Sequence, residues 1–279
     1  MKILLTVLFC SSLPLIGVDK KPLTKDESAE VIEAVLPKDG ATCLFIGHSF
    51  FIPVAKSFDE HAKLNGFPKH KQYAIFSGGQ SGTPGSLWKN KKKSQAIKNI
   101  LGSGKIQVFG MTLGSINSEY EDYKRWIEFA LKHNPKTKIM IGLCWHTKGP
   151  ERDSKEFTEA NLASAQKFFE GRVVRLRKAY PNNSITVINY GLAACELKAR
   201  FEAGKLKGDI NKMVDRESGL FRDAFGHAGH MIKDLSALIW LKMLYGADLD
   251  KLKLSREYKT DLKVTAAKIA KLNDRFVKK

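Results

Sequence analysis

The sequence predicts an α/β fold, a five-stranded parallel sheet held between two layers of helices. Short apolar runs of strand length alternate with longer, mixed runs along the chain. Alternation of this kind means parallel strands joined by helical crossovers on both faces, a three-layer sandwich. The run "KTKIMIGLCW" is also apolar almost without a break, as a strand covered on both sides is.

Taken in order, "ATCLFIG" is the first strand, and a helix through "FIPVAKSFDEHAKLNG" follows it. "KQYAIFS" is the second strand and ends in the glycine-rich "GGQSGTPG". A lysine-rich helix leads to the third strand, "KIQVFGMTL". "SEYEDYKRWIEFALKHNP" then sets Tyr120, Tyr123, Trp126 and Ile127 on or near one helical face. "KTKIMIGLCW" is the fourth strand, and one long helix runs from about Lys155 to Ala179. "NSITVINYG" is the fifth strand, with a helix from about Leu192 to Ala203. A less regular stretch reaches "DAFGHAGH", and "KDLSALIWLKMLYG" is an apolar helix. The C-terminal "SREYKTDLKVTAAKIAKLNDRFVKK" places Leu262, Val264, Ile269, Leu272 and Phe276 at roughly helical spacing, an amphipathic surface helix with solvated lysines.

Composition narrows the class. A hydrophobic fraction of 43%, with four Trp and sixteen Phe, marks a globular chain and excludes a disordered one. The start, "MKILLTVLFCSSLPLIGVDKK", has a Lys, a short apolar run and small residues. That run is too short to span a bilayer and reads as a cleaved secretion signal over 1–17, which places the protein in a secreted or periplasmic setting. Residues 18–279 then form one domain, with no linker, repeat or low-complexity tract between them. Cys10 follows the bulky Phe9, which argues against a lipoprotein signal. Past the signal, Cys43, Cys144 and Cys195 are neither paired in number nor clustered, so neither a disulfide framework nor a metal site is expected.

The formal charge of +18 is spread over the chain and is densest in "WKNKKKSQAIKN" and the C-terminal stretch. No recognised nucleic-acid motif or basic strip with stacking aromatics accompanies it, so no nucleic-acid partner is expected. In an exported protein such a field attracts acidic polysaccharide or the anionic cell envelope. A basic surface with no specific partner accounts for it equally well.

In an open α/β sheet, ligands bind beyond the carboxyl ends of the strands. There "LFIGHSFF" puts Ser49 after the first strand, at a turn that a helix N-cap also explains. The glycine loop follows the second strand, Asn117 the third, and Trp145-His146 the fourth. His227 precedes the last apolar helix, in a loop able to return to the same edge. A serine hydroxyl needs a base to become a nucleophile, and histidine suits that task.

"FIGHSF", the Gly82 loop, Asn117 and "DAFGH" resemble the four blocks of the SGNH (GDSL-like) hydrolases, in order, over about Ala41 to Gly246. The resemblance implies a flavodoxin-like sheet, Ser49 as nucleophile, His227 as base and Asp223 as its partner. It implies an oxyanion hole from Ser49, Gly82 and Asn117, with Gly79 as the alternative to Gly82. The pattern departs in three places. His48 stands where the family has an acidic residue, Gly114 to Asn117 holds one residue too many, and Asp223 precedes His227 by four residues, not three. The Tyr-Gly ending the next helix favours His227 over His230. Trp145 and His146 either line the substrate pocket or, for Trp145, pack in the core.

The expected function is a serine esterase releasing a small acyl group, acetyl first, from a carbohydrate, with no metal or organic cofactor. The alternative is a non-catalytic exported envelope or polyanion-binding protein on the same fold.

Overall fold

The computed structural model describes residues 38–113, 119–145 and 147–277. The signal-peptide reading of 1–17 lies outside them, as do Asn117 and His146. All described residues belong to the compact unit Val31–Lys279.

The strands are β1 (Thr42–Gly47), β2 (Lys71–Phe76), β3 (Val108–Thr112), β4 (Lys138–Leu143) and β5 (Ile185–Asn189). They pair in the order β2-β1-β3-β4-β5, every pairing parallel. This is the flavodoxin-like order, whose direction of winding reverses between β1 and β3. Loops leaving neighbouring strands diverge at that point and open a crevice above the sheet.

The helices are α1 (Ile52–Leu64), α2 (Pro84–Lys89), α3 (Lys91–Gly102), α4 (Tyr120–His133), α5 (Ser154–Phe168), α6 (Val174–Ala179), α7 (Gly191–Glu202), α8 (His230–Tyr245) and α9 (Leu262–Val277). The alternating side chains of the strands feed two separate cores. Cys43, Phe45, Met140 and Ile188 point to one, shared with α1, α7, α8 and α9. Leu44, Ile46, Ile139, Ile141 and Val187 point to the other, with α3, α4 and α5. That is the three-layer sandwich, and β4 is buried on both faces as its sequence required.

Two elements differ from their sequence reading. The long helix from Lys155 to Ala179 is interrupted by a π-helical segment, Phe169–Val173, which carries Phe169 and Val173 into the core. In α9 the buried face is Leu262, Thr265, Ala266, Ile269, Ala270 and Asn273, whereas Val264 and Leu272 are exposed. Polar residues won those places because they make bonds there. The Asn273 amide oxygen accepts the Asn189 backbone N–H at the end of β5, at 2.6 Å.

Candidate active site

The turn between β1 and α1 is short, and its backbone is held from several sides. Phe51 and Ile52 N–H both donate to the His48 carbonyl at 3.0 Å. The Phe50 N–H donates to His48 Nδ1 at 3.2 Å, so His48 Nε2 carries the proton and donates to the Leu113 carbonyl at 3.1 Å. His48 therefore ties the turn to the end of β3. Burial above all, opposed by the Leu113 bond and helped by the charge of His227, pushes its pKa below the ordinary value. The Tyr190 hydroxyl donates to the Phe50 carbonyl at 2.8 Å. Among the described residues the Ser49 backbone N–H has no acceptor.

The partner of Ser49 comes from a second loop, 178 residues further along the chain. Phe221 and Ala228 pair as an isolated bridge, and the Arg222 N–H donates to the His227 carbonyl at 2.8 Å, which closes the loop between them. Asp223 organises its interior. Its Oδ1 accepts the N–H groups of Gly226 and His227, at 3.1 and 3.2 Å. Its Oδ2 accepts His227 Nδ1–H at 2.7 Å. Gly226 has φ +95°, in the region that favours glycine, and this bend takes up the extra residue between Asp223 and His227. With Nδ1 protonated, Nε2 is an acceptor, and it lies 2.8 Å from Ser49 Oγ. Burial works to raise the Asp223 pKa, but the His227 ring and the two backbone N–H groups outweigh it and hold the carboxyl below its ordinary range.

The other proposed site residues fall differently. Gly82 is buried directly beside the turn: a Cβ there would lie 2.7 Å from His48 Cα and 2.5 Å from the Ser77 carbonyl, so only glycine fits. Gly79 is at the exposed start of the same loop, with φ +47° and open space around it. Trp145 is corrected as a substrate platform. It is 2% exposed and packs on Phe50 and Tyr190, so no face is left for a sugar. Its indole N–H instead donates to the Gly226 carbonyl at 2.8 Å, pinning the bend that carries His227. Asn117 and His146 lie outside the described residues.

Sequence reasoning missed several contributors. The Phe50 and Phe225 rings lie 4.9 and 5.4 Å from the His227 ring, restricting its rotation. A cleft of about 440 Å³ opens over Ser49, Asp223 and His227 and is also walled by Lys56, Phe76 and Arg222. Phe50 and Arg222 adjoin Ser49 and Asp223 in sequence, and Lys56 is one helical turn past Ile52, so adjacency was the available signal. No group of three or more His, Cys, Asp or Glu side chains among the described residues is placed to hold a metal ion.

The chemistry such an arrangement can do is transfer of an acyl group through serine. The hydroxyl, the base and the group orienting the base stand in hydrogen-bonded series, and the hydroxyl faces an open cleft.

No family model matches this chain, and no curated protein matches it. Among solved structures, the chain is similar to the periplasmic domain of a lipopolysaccharide acetyltransferase of Salmonella ser. Paratyphi A. That likeness has 12% sequence identity and a TM-score of 0.38, and covers 56% of this chain and 69% of that one. At that level it carries no argument about what this chain does, and its functional reading rests on its own side chains.

Proposed function

We propose that this protein is an exported serine esterase of the SGNH type that hydrolyses a small acyl ester, an acetyl group on a carbohydrate being the substrate class put first. The observation that carries the reading is the series Ser49 Oγ, His227 Nε2, His227 Nδ1, Asp223 Oδ2, with links of 2.8 and 2.7 Å, opening into a cleft. Ser49 Oγ attacks the ester carbonyl carbon as its proton passes to His227 Nε2. Asp223, kept ionised, stabilises the imidazolium and does not itself take the proton. The carbonyl oxygen becomes an oxyanion beside the Ser49 N–H and Gly82, where a single lost donor typically costs on the order of a hundredfold or more in rate. Collapse expels the alcohol, which takes the proton from His227, and leaves acyl-Ser49. Water then adds with His227 as base, releasing the acid and restoring the serine.

Purified mature protein is expected to hydrolyse p-nitrophenyl acetate, and Ser49→Ala to remove that activity with the circular-dichroism spectrum unchanged. Equal rates in the two proteins would defeat the assignment of Ser49. A folded protein without activity on any short-chain ester would defeat the esterase reading.

A further inference from the structure

We propose that the cleft selects acyl esters that bear an anionic group, carboxylate or sulfate, close to the scissile bond, with Lys56 and Arg222 receiving that anion. This rests on the esterase reading above.

The argument starts from charge balance at the cleft wall. Lys56 and Arg222 line the same cleft as Ser49 and His227, and both are exposed. Neither makes an ion pair among the described residues, although many other surface cations do. On α1 the contrast is direct. Lys63 pairs with Asp59 one turn back, at 2.7 Å, while Lys56 has Glu60 one turn ahead and makes no ion pair with it. A Lys placed N-terminal to its Glu is the poorer order for a helical pair, so Lys56 is left to the cleft.

The carboxylate that shares the cleft is already engaged. Asp223 accepts two backbone N–H groups on Oδ1 and the imidazole Nδ1–H on Oδ2. Arg222, its sequence neighbour, therefore keeps its five donors for something else. The nearby Lys233 has its pKa lowered, first by burial, with Arg256 and Arg222 adding to this and Asp234 and Glu60 opposing it. The Asp234 carboxylate is itself taken up by Ser57, Arg256 and Tyr258. The wall thus presents two cations in no ion pair, Lys56 from α1 and Arg222 from the loop before His227, against the single carboxylate of Asp223.

Planar carboxylate and tetrahedral sulfate both match a guanidinium fork, and a flexible ammonium opposite adds a point charge. Phe76, half exposed at the end of β2, gives the same cleft an apolar wall for the rest of the substrate. Such a site would raise both the encounter rate and the affinity of an anionic ester, and salt would weaken it.

The test uses matched pairs of esters. An acetylated methyl glucuronoside is assayed as free acid and as its neutral methyl ester, and an acetylated methyl glucoside with and without a 6-sulfate. The expected result is a kcat/KM about tenfold or more higher for at least one anionic member over its neutral match, shrinking at high salt. In the Lys56→Met, Arg222→Gln double variant the ratio is expected to fall to about one, and whichever pair shows the effect identifies the anion. A wild-type ratio of one or below in both pairs, or a ratio unchanged in the double variant, would overturn the proposal. Absence of turnover with every ester would count against the esterase reading alone. Calorimetry with the unacetylated glucuronoside and its methyl ester then decides the anion site: tighter binding of the acid in wild type only supports it, and equal binding rejects it.

Discussion

At the residue scale, Asp223 has two jobs that a single substitution can separate. One oxygen builds the loop through the Gly226 and His227 N–H groups, and the other orients the imidazole. Asn in its place keeps an oxygen for the loop, but its amide nitrogen, if turned to the ring, donates where an acceptor is needed. The imidazole would then be driven to the wrong tautomer, with its proton on the nitrogen facing Ser49. Asp223→Asn is therefore expected to lower kcat on the order of 10⁴-fold, the size seen for the equivalent change in a serine protease triad, with little change in KM. A drop of less than tenfold would mean that Ser49 and His227 work as a dyad. The residues of this series were legible because each carries its chemistry in its own side chain, and the Asp-to-His spacing needed only a glycine able to bend. Trp145 was not legible. Whether an indole faces substrate or core depends on what covers it, and that cover, Phe50 and Tyr190, comes from distant parts of the chain.

At the scale of elements, what could be read was the alternation, because a strand buried on both faces has few choices but apolar residues. The five strands stand where their apolar runs are, and the Ser49 turn and Gly82 loop leave adjacent strands beside the reversal in winding. What could not be read was the docking of α9. Its apolar residues suggest one face, yet Thr265 and Asn273 are buried and Val264 is 63% exposed. The reason is the end of β5, an edge strand with β4 on one side only, where the buried Asn189 N–H takes an acceptor from outside the sheet. Asn273 supplies it at 2.6 Å, from a side chain that is fully buried, and its own amide donates to the Ile269 carbonyl at 3.0 Å. Replacing it by Ala leaves a buried N–H unsatisfied, a loss of about 1–3 kcal/mol. Asn273→Ala is expected to lower the urea midpoint accordingly and to leave ester hydrolysis intact, since α9 does not reach the cleft lining. An unchanged midpoint would mean that water replaces the amide and that α9 docks on its apolar residues alone.

At the scale of the whole molecule, burial of titratable groups sets a window of pH in which the fold is most stable. His48, His70 and His230 all have pKa values below the ordinary 6.5, in each case first because burial penalises the charged ring. As pH falls, the unfolded chain takes those protons before the folded one does. Stability from these groups is therefore complete above 6.5 and is lost as pH falls from there through the folded values. The alkaline side mirrors this. Burial raises the thiols of Cys43 and Cys144 from 9.0 to about 12 and that of Cys195 to about 11, so above 9 the unfolded chain releases protons first and stability declines. Lys233, lowered chiefly by burial, works the other way up to 10.5. It is one group against the three thiols and, above 10, Tyr180, Tyr190, Tyr245 and Tyr258, whose pKa values burial raises. The net charge of +18 adds a competing cause on the acid side, because further protonation increases self-repulsion. Salt separates the two: repulsion across the surface is screened, whereas the cost of charging a buried ring is not. Denaturant unfolding across pH is thus expected to give a plateau between about pH 6.5 and 9, with an acid limb that persists in high salt. His48→Gln, which cannot take the proton, should make that limb shallower. An acid limb that vanishes in salt would assign the loss to surface charge. One that persists in salt but is untouched by His48→Gln would assign it to His70, His230 and the hydrogen-bonded carboxylates, not to the buried histidine that ties the Ser49 turn to β3.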